Sequence, residues 1–179
     1  MPYDPQQLVS LEAVAFDVDG VLTNGTVEWS MAGDEAKQFS FADIMGVSLL
    51  RRLGIKMALI SGENSPLVDR YAEKMHIAFV AKGTRDKATA LREFATRSGV
   101  ALERTCFFGD DVNDLAAMEI AGLCACPSNA AAEVRTYVVG RGFVAQALGG
   151  LGAVREFADA VLTARGLSGR EVFAMRPPD

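Results

Sequence analysis

Short apolar runs of strand length recur along this chain, and between them lie segments whose apolar residues repeat at helical spacing. That alternation restricts the fold severely. Strands buried on both faces need helices on both faces, so the pattern predicts a parallel sheet wrapped by helices. The predicted strands are 13–16, 56–60, 77–80, 105–108, 123–125 and 137–139. The predicted helices are 46–53, 66–75, 85–98, 113–121, 130–135 and 154–164, with Pro66 after Ser65 and the acid Asp86 as start signals. The expected class is α/β, a Rossmann-like parallel sheet flanked by helices on both faces. With 179 residues, half of them hydrophobic, the chain suits one domain with its core at about 11–165.

One segment breaks the alternation. Residues 26–30 and 36–41 flank Met31-Ala32-Gly33-Asp34-Glu35, which reads as a β-hairpin over about 26–41. It follows directly on an acidic loop and is expected to project over that loop's edge. The C-terminal tail is 166–179, and its last residues, Arg176-Pro177-Pro178-Asp179, are expected to be disordered or loosely draped.

Composition removes several classes of function. A net charge of -5 with no Lys/Arg cluster argues against a nucleic-acid track. No apolar run approaches the roughly 20 residues needed to span a membrane. The first ten residues have neither the basic start nor the apolar stretch of a signal peptide. Cys106, Cys124 and Cys126 sit in apolar surroundings, so the expectation is reduced, buried thiols in the cytoplasm. One histidine, His76, and no second Cys pair argue against a zinc site.

The chemistry gathers at predicted strand ends. The run Ala13-Val14-Ala15-Phe16 delivers Asp17 and Asp19 into a loop with Gly20 and Thr23 behind them. After 56–60 comes Ser61-Gly62-Glu63-Asn64, and after 105–108 comes Gly109-Asp110-Asp111-Val112-Asn113-Asp114. Lys87 lies near the start of a helix between them. The C-terminal edge of a parallel sheet is where such folds bind ligands. Carboxylate oxygens suit a hard ion such as Mg2+, while a lysine and a serine hydroxyl are donors for phosphoryl oxygens. Taken singly, each cluster has an ordinary structural reading: a solvated loop, a turn, a surface charge, or helix caps at Asp110 and Asp111. Four clusters after four separate strands point instead to a metal site, a nucleophile, an acid/base and a phosphate clamp.

Asp17-Val-Asp19-Gly-Val-Leu-Thr23, Ser61, Lys87 and Gly-Asp110-Asp111-x-x-Asp114 resemble, in order, the four motifs of haloacid dehalogenase-like phosphatases. The chain is similar to the small branch containing 3-deoxy-D-manno-octulosonate (KDO) 8-phosphate phosphatase, in which a projecting hairpin stands in place of a cap domain. Gly33 through Lys37, Phe39, Asp43 with Gly46, and Gly149-Gly150-Leu151-Gly152-Ala153-Val154-Arg155-Glu156 support that likeness. The resemblance implies a homotetramer in which neighbouring subunits help close the site. It also implies that Asp17 attacks phosphorus and Asp19 is the acid/base. Mg2+ would be held by Asp17, the Asp19 carbonyl and Asp110, with Asp111 and Asp114 orienting that shell. Ser61, Gly62 and Lys87 would bind the phosphoryl group.

The sugar is less sharply indicated. Where the KDO 8-phosphate branch carries arginine, this chain has Glu63, which with Lys74 resembles phosphatases of nine-carbon keto acids such as KDN 9-phosphate. Asp43 and Arg155 are further candidates for contact with a phosphorylated sugar acid. Ala42-Asp43-Ile44 in place of Arg-Asp-Gly, and a longer connection over 140–147, also depart from the pattern. Two readings compete with the phosphatase: a receiver-type signalling domain, and a non-catalytic oligomerisation module of a sialic-acid or KDO pathway enzyme.

Overall fold

The computed structural model describes residues 4–177. Six strands form one sheet in the order β5-β4-β1-β6-β7-β8, every neighbouring pair parallel. They are β1 (Ala13–Phe16), β4 (Lys56–Ile60), β5 (Phe79–Ala81), β6 (Thr105–Phe108), β7 (Leu123–Cys126) and β8 (Phe143–Val144). The order turns back on itself at β1, between β4 and β6. A doubly wound sheet opens a crevice at that point, beyond its carboxyl ends.

Alternate residues of these strands feed two cores. Val14, Phe16, Leu59, Cys106 and Phe108 point to one face, and Ala13, Ala15, Ala58, Ile60 and Phe107 to the other. The first face packs against α2 (Phe41–Arg52), α3 (Pro66–Met75) and α7 (Ala153–Ala164). The second, richer in alanine, takes α4 (Lys87–Ser98), α5 (Leu115–Ile120) and α6 (Ala132–Val138). Separately, β2 (Glu28–Trp29) and β3 (Glu35–Ala36) pair antiparallel as the expected hairpin, with shorter strands than predicted. Gly33 turns it with a φ of +88°.

Strands β1, β4 and β6 and helix α3 fall where the sequence places them. The predicted strand 137–139 does not form. Val134 and Val138 are both fully buried four residues apart, so this β-branched stretch continues α6, and the sixth strand is β8. Helix α2 begins five residues before the predicted 46, capped by the Ser40 hydroxyl on the Ala42 amide. Two helices lie outside the predicted set. Helix α1 (Pro5–Val9) is capped by Asp4 and buries Leu8. Helix α8 (Gly169–Ala174) opens with a Ser168–Glu171 capping box and buries Val172 against Leu49 and Leu162, so most of the tail is docked. Of the expected loose end, Pro178 and Asp179 lie outside the described residues. No helix among the described residues is long and apolar enough to cross a membrane.

Candidate active site

Phe16 closes β1 and Asp17 is the first residue past it, its amide donating to the Phe108 carbonyl at 2.9 Å. The loop then bends through Gly20, at a φ of +87°. A Cβ at Gly20 would stand 2.0 Å from Asp110 Oδ2, so only glycine lets the loop lie over that carboxylate. Asp110 comes from the neighbouring strand end, one residue past Gly109. The sheet register thus brings two acids distant in sequence to one place.

Lys87 pairs with Asp17 and with a third acid, Asp114. Its side chain is buried, with Nζ 3.0 Å from Asp17 Oδ1 and 2.6 Å from Asp114 Oδ1. The other Asp114 oxygen accepts the amides of Asp110 (2.9 Å) and Asp111 (3.2 Å), which sets the turn that carries Asp110. One ammonium therefore pairs with two buried carboxylates, and the half-buried Asp110 lies beside them. Burial, then the charge of Asp114, push the Asp17 carboxyl well above its usual range, although Lys87 pulls it back. Burial with Asp114 and Asp111 pushes Asp110 up to about 7. Burial alone would lower the Lys87 amine; the charges of Asp17 and Asp114 outweigh it and raise it.

This cluster lacks positive charge. Asp17, Asp110 and Asp114 each offer an oxygen within 4.8 Å of the others, and Asp110 Oδ1 is buried without a hydrogen-bond partner. A buried orphan oxygen among under-neutralised acids fits a hard divalent cation with oxygen ligands. Asp114 is already committed to Lys87 and two amides, leaving Asp17 and Asp110 as the carboxylates open to an ion. Asp111 is exposed and caps a short 3-10 turn (Val112–Asp114) through the Val112 amide at 2.7 Å.

Ser61 follows β4 on the other side of β1. It is buried, its amide bonded to the Ala81 carbonyl and its Oγ accepting the Glu63 amide at 3.1 Å, which leaves the hydroxyl proton for a ligand. Gly62 beside it is exposed, 3.7 Å separating the place of its absent Cβ from Asn113 Nδ2. Asn113, in the acidic cluster after β6 but not among the candidate site residues, approaches Gly62 from the third strand end.

The hairpin supplies the residue most clearly missed. Lys37 Nζ straddles the Asp19 carboxylate, 2.8 Å from Oδ1 and 2.9 Å from Oδ2. Glu35 lies 3.5 Å from the same ammonium and accepts the Ser65 hydroxyl at 2.6 Å. In the sequence Lys37 belongs to the hairpin segment that supports the family likeness, and the Glu35-x-Lys37 spacing puts both side chains on one face of an extended arm.

Comparison with known proteins agrees with this geometry. Residues 58–138 match the haloacid dehalogenase-like hydrolase family. The Haemophilus influenzae KDO 8-phosphate phosphatase is 34% identical over 91% of this chain and 89% of its own length. The chain belongs to this family. The crystal structure of the Moraxella catarrhalis KDO 8-phosphate phosphatase, in complex with magnesium, phosphate and KDO, superposes with a TM-score of 0.85 at 33% identity, covering 90% of this chain and 91% of that one. The cobalt-bound Haemophilus influenzae enzyme matches equally, with a TM-score of 0.85 at 34% identity over 90% and 92% of the two chains.

In this haloacid dehalogenase-like chain the candidates for sugar contact separate. Glu63 and Lys74 are exposed, the first in the loop after β4 and the second in the last turn of α3. Asp43 is not offered to a ligand by this subunit. It is buried, and its two oxygens accept the amides of Gly152 and Arg155, both at 3.0 Å. The reason is the early start of α2, which puts Asp43 and Gly46 on the face toward α7. A Cβ at Gly46 would meet Arg155 Cα at 2.8 Å, so these two positions set the approach of the helices. Arg155 itself turns along α7 to Asp159, at 2.9 Å.

The glycine segment before α7 also acts on the site. Gly150 donates to the Val21 carbonyl at 2.8 Å, and a Cβ on Gly149 would stand 1.7 Å from the Gly20 oxygen. This strap clamps the loop that carries Asp19. A cavity of about 570 Å³ lies at the opposite edge of the sheet, lined by Arg51, Lys56, His76 and Arg97 among others. Helices α2, α3 and α4 end there, and cations at helix C-termini are ordinary.

Proposed function

We propose that this chain hydrolyses KDO 8-phosphate to KDO and inorganic phosphate with Mg2+ as cofactor. The observation that carries the reading is the buried Asp17–Asp110–Asp114 cluster at the crevice beside β1, held by one lysine and containing an orphan carboxylate oxygen. In this reading Asp17 attacks phosphorus, the bond from phosphorus to the sugar oxygen breaks, and Asp19 gives that oxygen a proton. Asp19 then takes a proton from water as it attacks the aspartyl-phosphate, releasing phosphate and restoring Asp17. Lys87 and the Ser61 hydroxyl hold the phosphoryl oxygens. Asp17, the Asp19 carbonyl and Asp110 would hold Mg2+, which supplies the positive charge that lets an anionic substrate enter a site crowded with carboxylates.

The named relatives act on KDO 8-phosphate, which favours the eight-carbon substrate over the nine-carbon acids that Glu63 and Lys74 raise. Nucleophile, acid/base, lysine and acidic cluster are all present, which weighs against a non-catalytic module. The reading takes the chain as one domain working as a homotetramer. Exposed Trp29 and Met31 on the hairpin and Phe41 just after it suit a subunit contact. Three free, buried thiols fit a reducing compartment, the cytoplasm.

The test is turnover of KDO 8-phosphate and KDN 9-phosphate side by side, with and without Mg2+. Hydrolysis of the first is expected to dominate, to stop with EDTA, and to be absent from Asp17→Asn. EDTA-resistant turnover, or an active Asp17→Asn, would remove the mechanism. Preference for the nine-carbon ester would move the substrate assignment to Glu63. Light scattering of the purified protein reads the tetramer.

A further inference from the structure

Lys37 stands on the outgoing arm of the hairpin, one residue past β3, between exposed Ala36 and Gln38. Its own side chain is only 4% exposed. A hairpin lysine ordinarily extends its ammonium into water, and burying one costs free energy unless it is paired. Here the pairing is with both oxygens of Asp19 and with Glu35, which in turn holds Ser65, the N-cap of α3. The contacts Asp19–Lys37–Glu35–Ser65 therefore run from the loop after β1 to the loop after β4 by way of the hairpin. Phe39, stacked on Tyr71 of α3 at 4.6 Å, fastens the same arm two residues on.

We infer that Lys37 is a positioning residue for Asp19, and that the hairpin thereby belongs to the reaction machinery of its own subunit. The inference rests on Asp19 being the acid/base. The Asp19 side chain is 29% exposed, and its other neighbour is the Thr23 hydroxyl, at 3.5 Å from Oδ1. Without Lys37 that carboxylate is free to exchange rotamers. An acid/base must lie within hydrogen-bond reach of the oxygen it protonates, so a restrained rotamer is what the first step requires. A two-residue ladder is marginal in isolation, so the anchors at Lys37, Glu35 and Phe39 also decide where the hairpin sits.

The test is a double-mutant cycle on the Mg2+-loaded enzyme with Lys37→Met, Asp19→Asn and the double variant. KDO 8-phosphate and p-nitrophenyl phosphate serve as substrates, the second because its phenolate leaves without needing a proton. Lys37→Met is expected to lower kcat on KDO 8-phosphate by about 10²-fold, the cost typical of a displaced reacting group, with KM little changed. Lys37→Arg should recover most of the loss, and the loss should shrink on p-nitrophenyl phosphate. In the Asp19→Asn background the Lys37 substitution should cost nothing more, since both act on one group. Thermal melts check folding, and Lys37→Gln replaces Met if the Met variant unfolds. An equal loss from Lys37→Met in both backgrounds, or wild-type turnover by that variant, overturns the inference. Wild-type rates from Asp19→Asn would overturn the acid/base reading and this inference with it. A reduced Asp19→Asn with additive Lys37 effects would overturn the inference alone.

Discussion

Replacing Lys87 with methionine tests the account of the site most directly, because Lys87 is buried and pairs with Asp17 and Asp114 at once. Methionine keeps much of the volume, so the main effect is electrostatic. Removing one partner of a buried ion pair costs about 3–5 kcal/mol. For a chain of this length that corresponds to a fall in Tm of roughly 6–20 °C. The loss should depend on pH. Asp17 is already held above its usual range by burial and by Asp114, and without Lys87 it rises further. An acid whose pKa is raised by folding costs no stability below its unfolded value near 4 and progressively more as pH climbs to its folded value. The Tm deficit of Lys87→Met should thus be small near pH 5 and large near pH 8. Adding Asp114→Asn should recover part of it by removing one of the stranded charges. Differential scanning calorimetry of the three proteins across pH reads all of this. A deficit under about 1 kcal/mol at pH 8, or one independent of pH, would show that Lys87 does not neutralise the cluster.

The metal-free wild-type protein should show the same sign more weakly. Asp110 at about 7 and the raised Asp17 predict falling stability between about pH 4 and pH 8, and a Tm gain from Mg2+ that is larger at pH 8 than at pH 5; a Mg2+ gain independent of pH would contradict it. Gly149→Ala puts a methyl where the Gly20 carbonyl oxygen stands, so kcat should fall by about 10²-fold as the Asp19 loop shifts; wild-type kcat would show that the strap does not set that loop. Asp43→Ala removes the acceptor of two α7 amides and should destabilise the fold by about 1–3 kcal/mol while leaving KM unchanged. A raised KM with unchanged Tm would return Asp43 to the sugar site.

Where the sequence could be read, a local rule and the tertiary demand agreed. β1 is apolar throughout, and β4 and β6 are apolar after their first residues, Lys56 and Thr105, because both faces are covered; all three are found at the lengths the pattern implies. Asp17, Ser61 and Asp110 were legible because parallel strands deliver whatever follows them to one edge. The reading failed where two rules conflict. Tyr137-Val138-Val139 has strand composition, yet Val138 shares a buried helical face with Val134, and burial overrode propensity. Asp43 is a candidate for sugar contact in the sequence, three residues ahead of the predicted helix, but the capped start of α2 places it inside a helix pair.

By itself the sequence determined five of the sheet's six strands, the strand ends that carry the acids and Ser61, and the residue types that meet there, because those follow from period and order along the chain. The pairings across the site were decided only in three dimensions. Nothing local says that Lys87 lies between Asp17 and Asp114, that Gly20 makes room for Asp110, or that Gly149 presses on Gly20. Nor does it say that Lys37 turns inward to Asp19 while Asp43 is spent on α7. Such pairings depend on which elements pack together and how closely. A charged side chain buried by that packing must find its partner wherever the fold has put one.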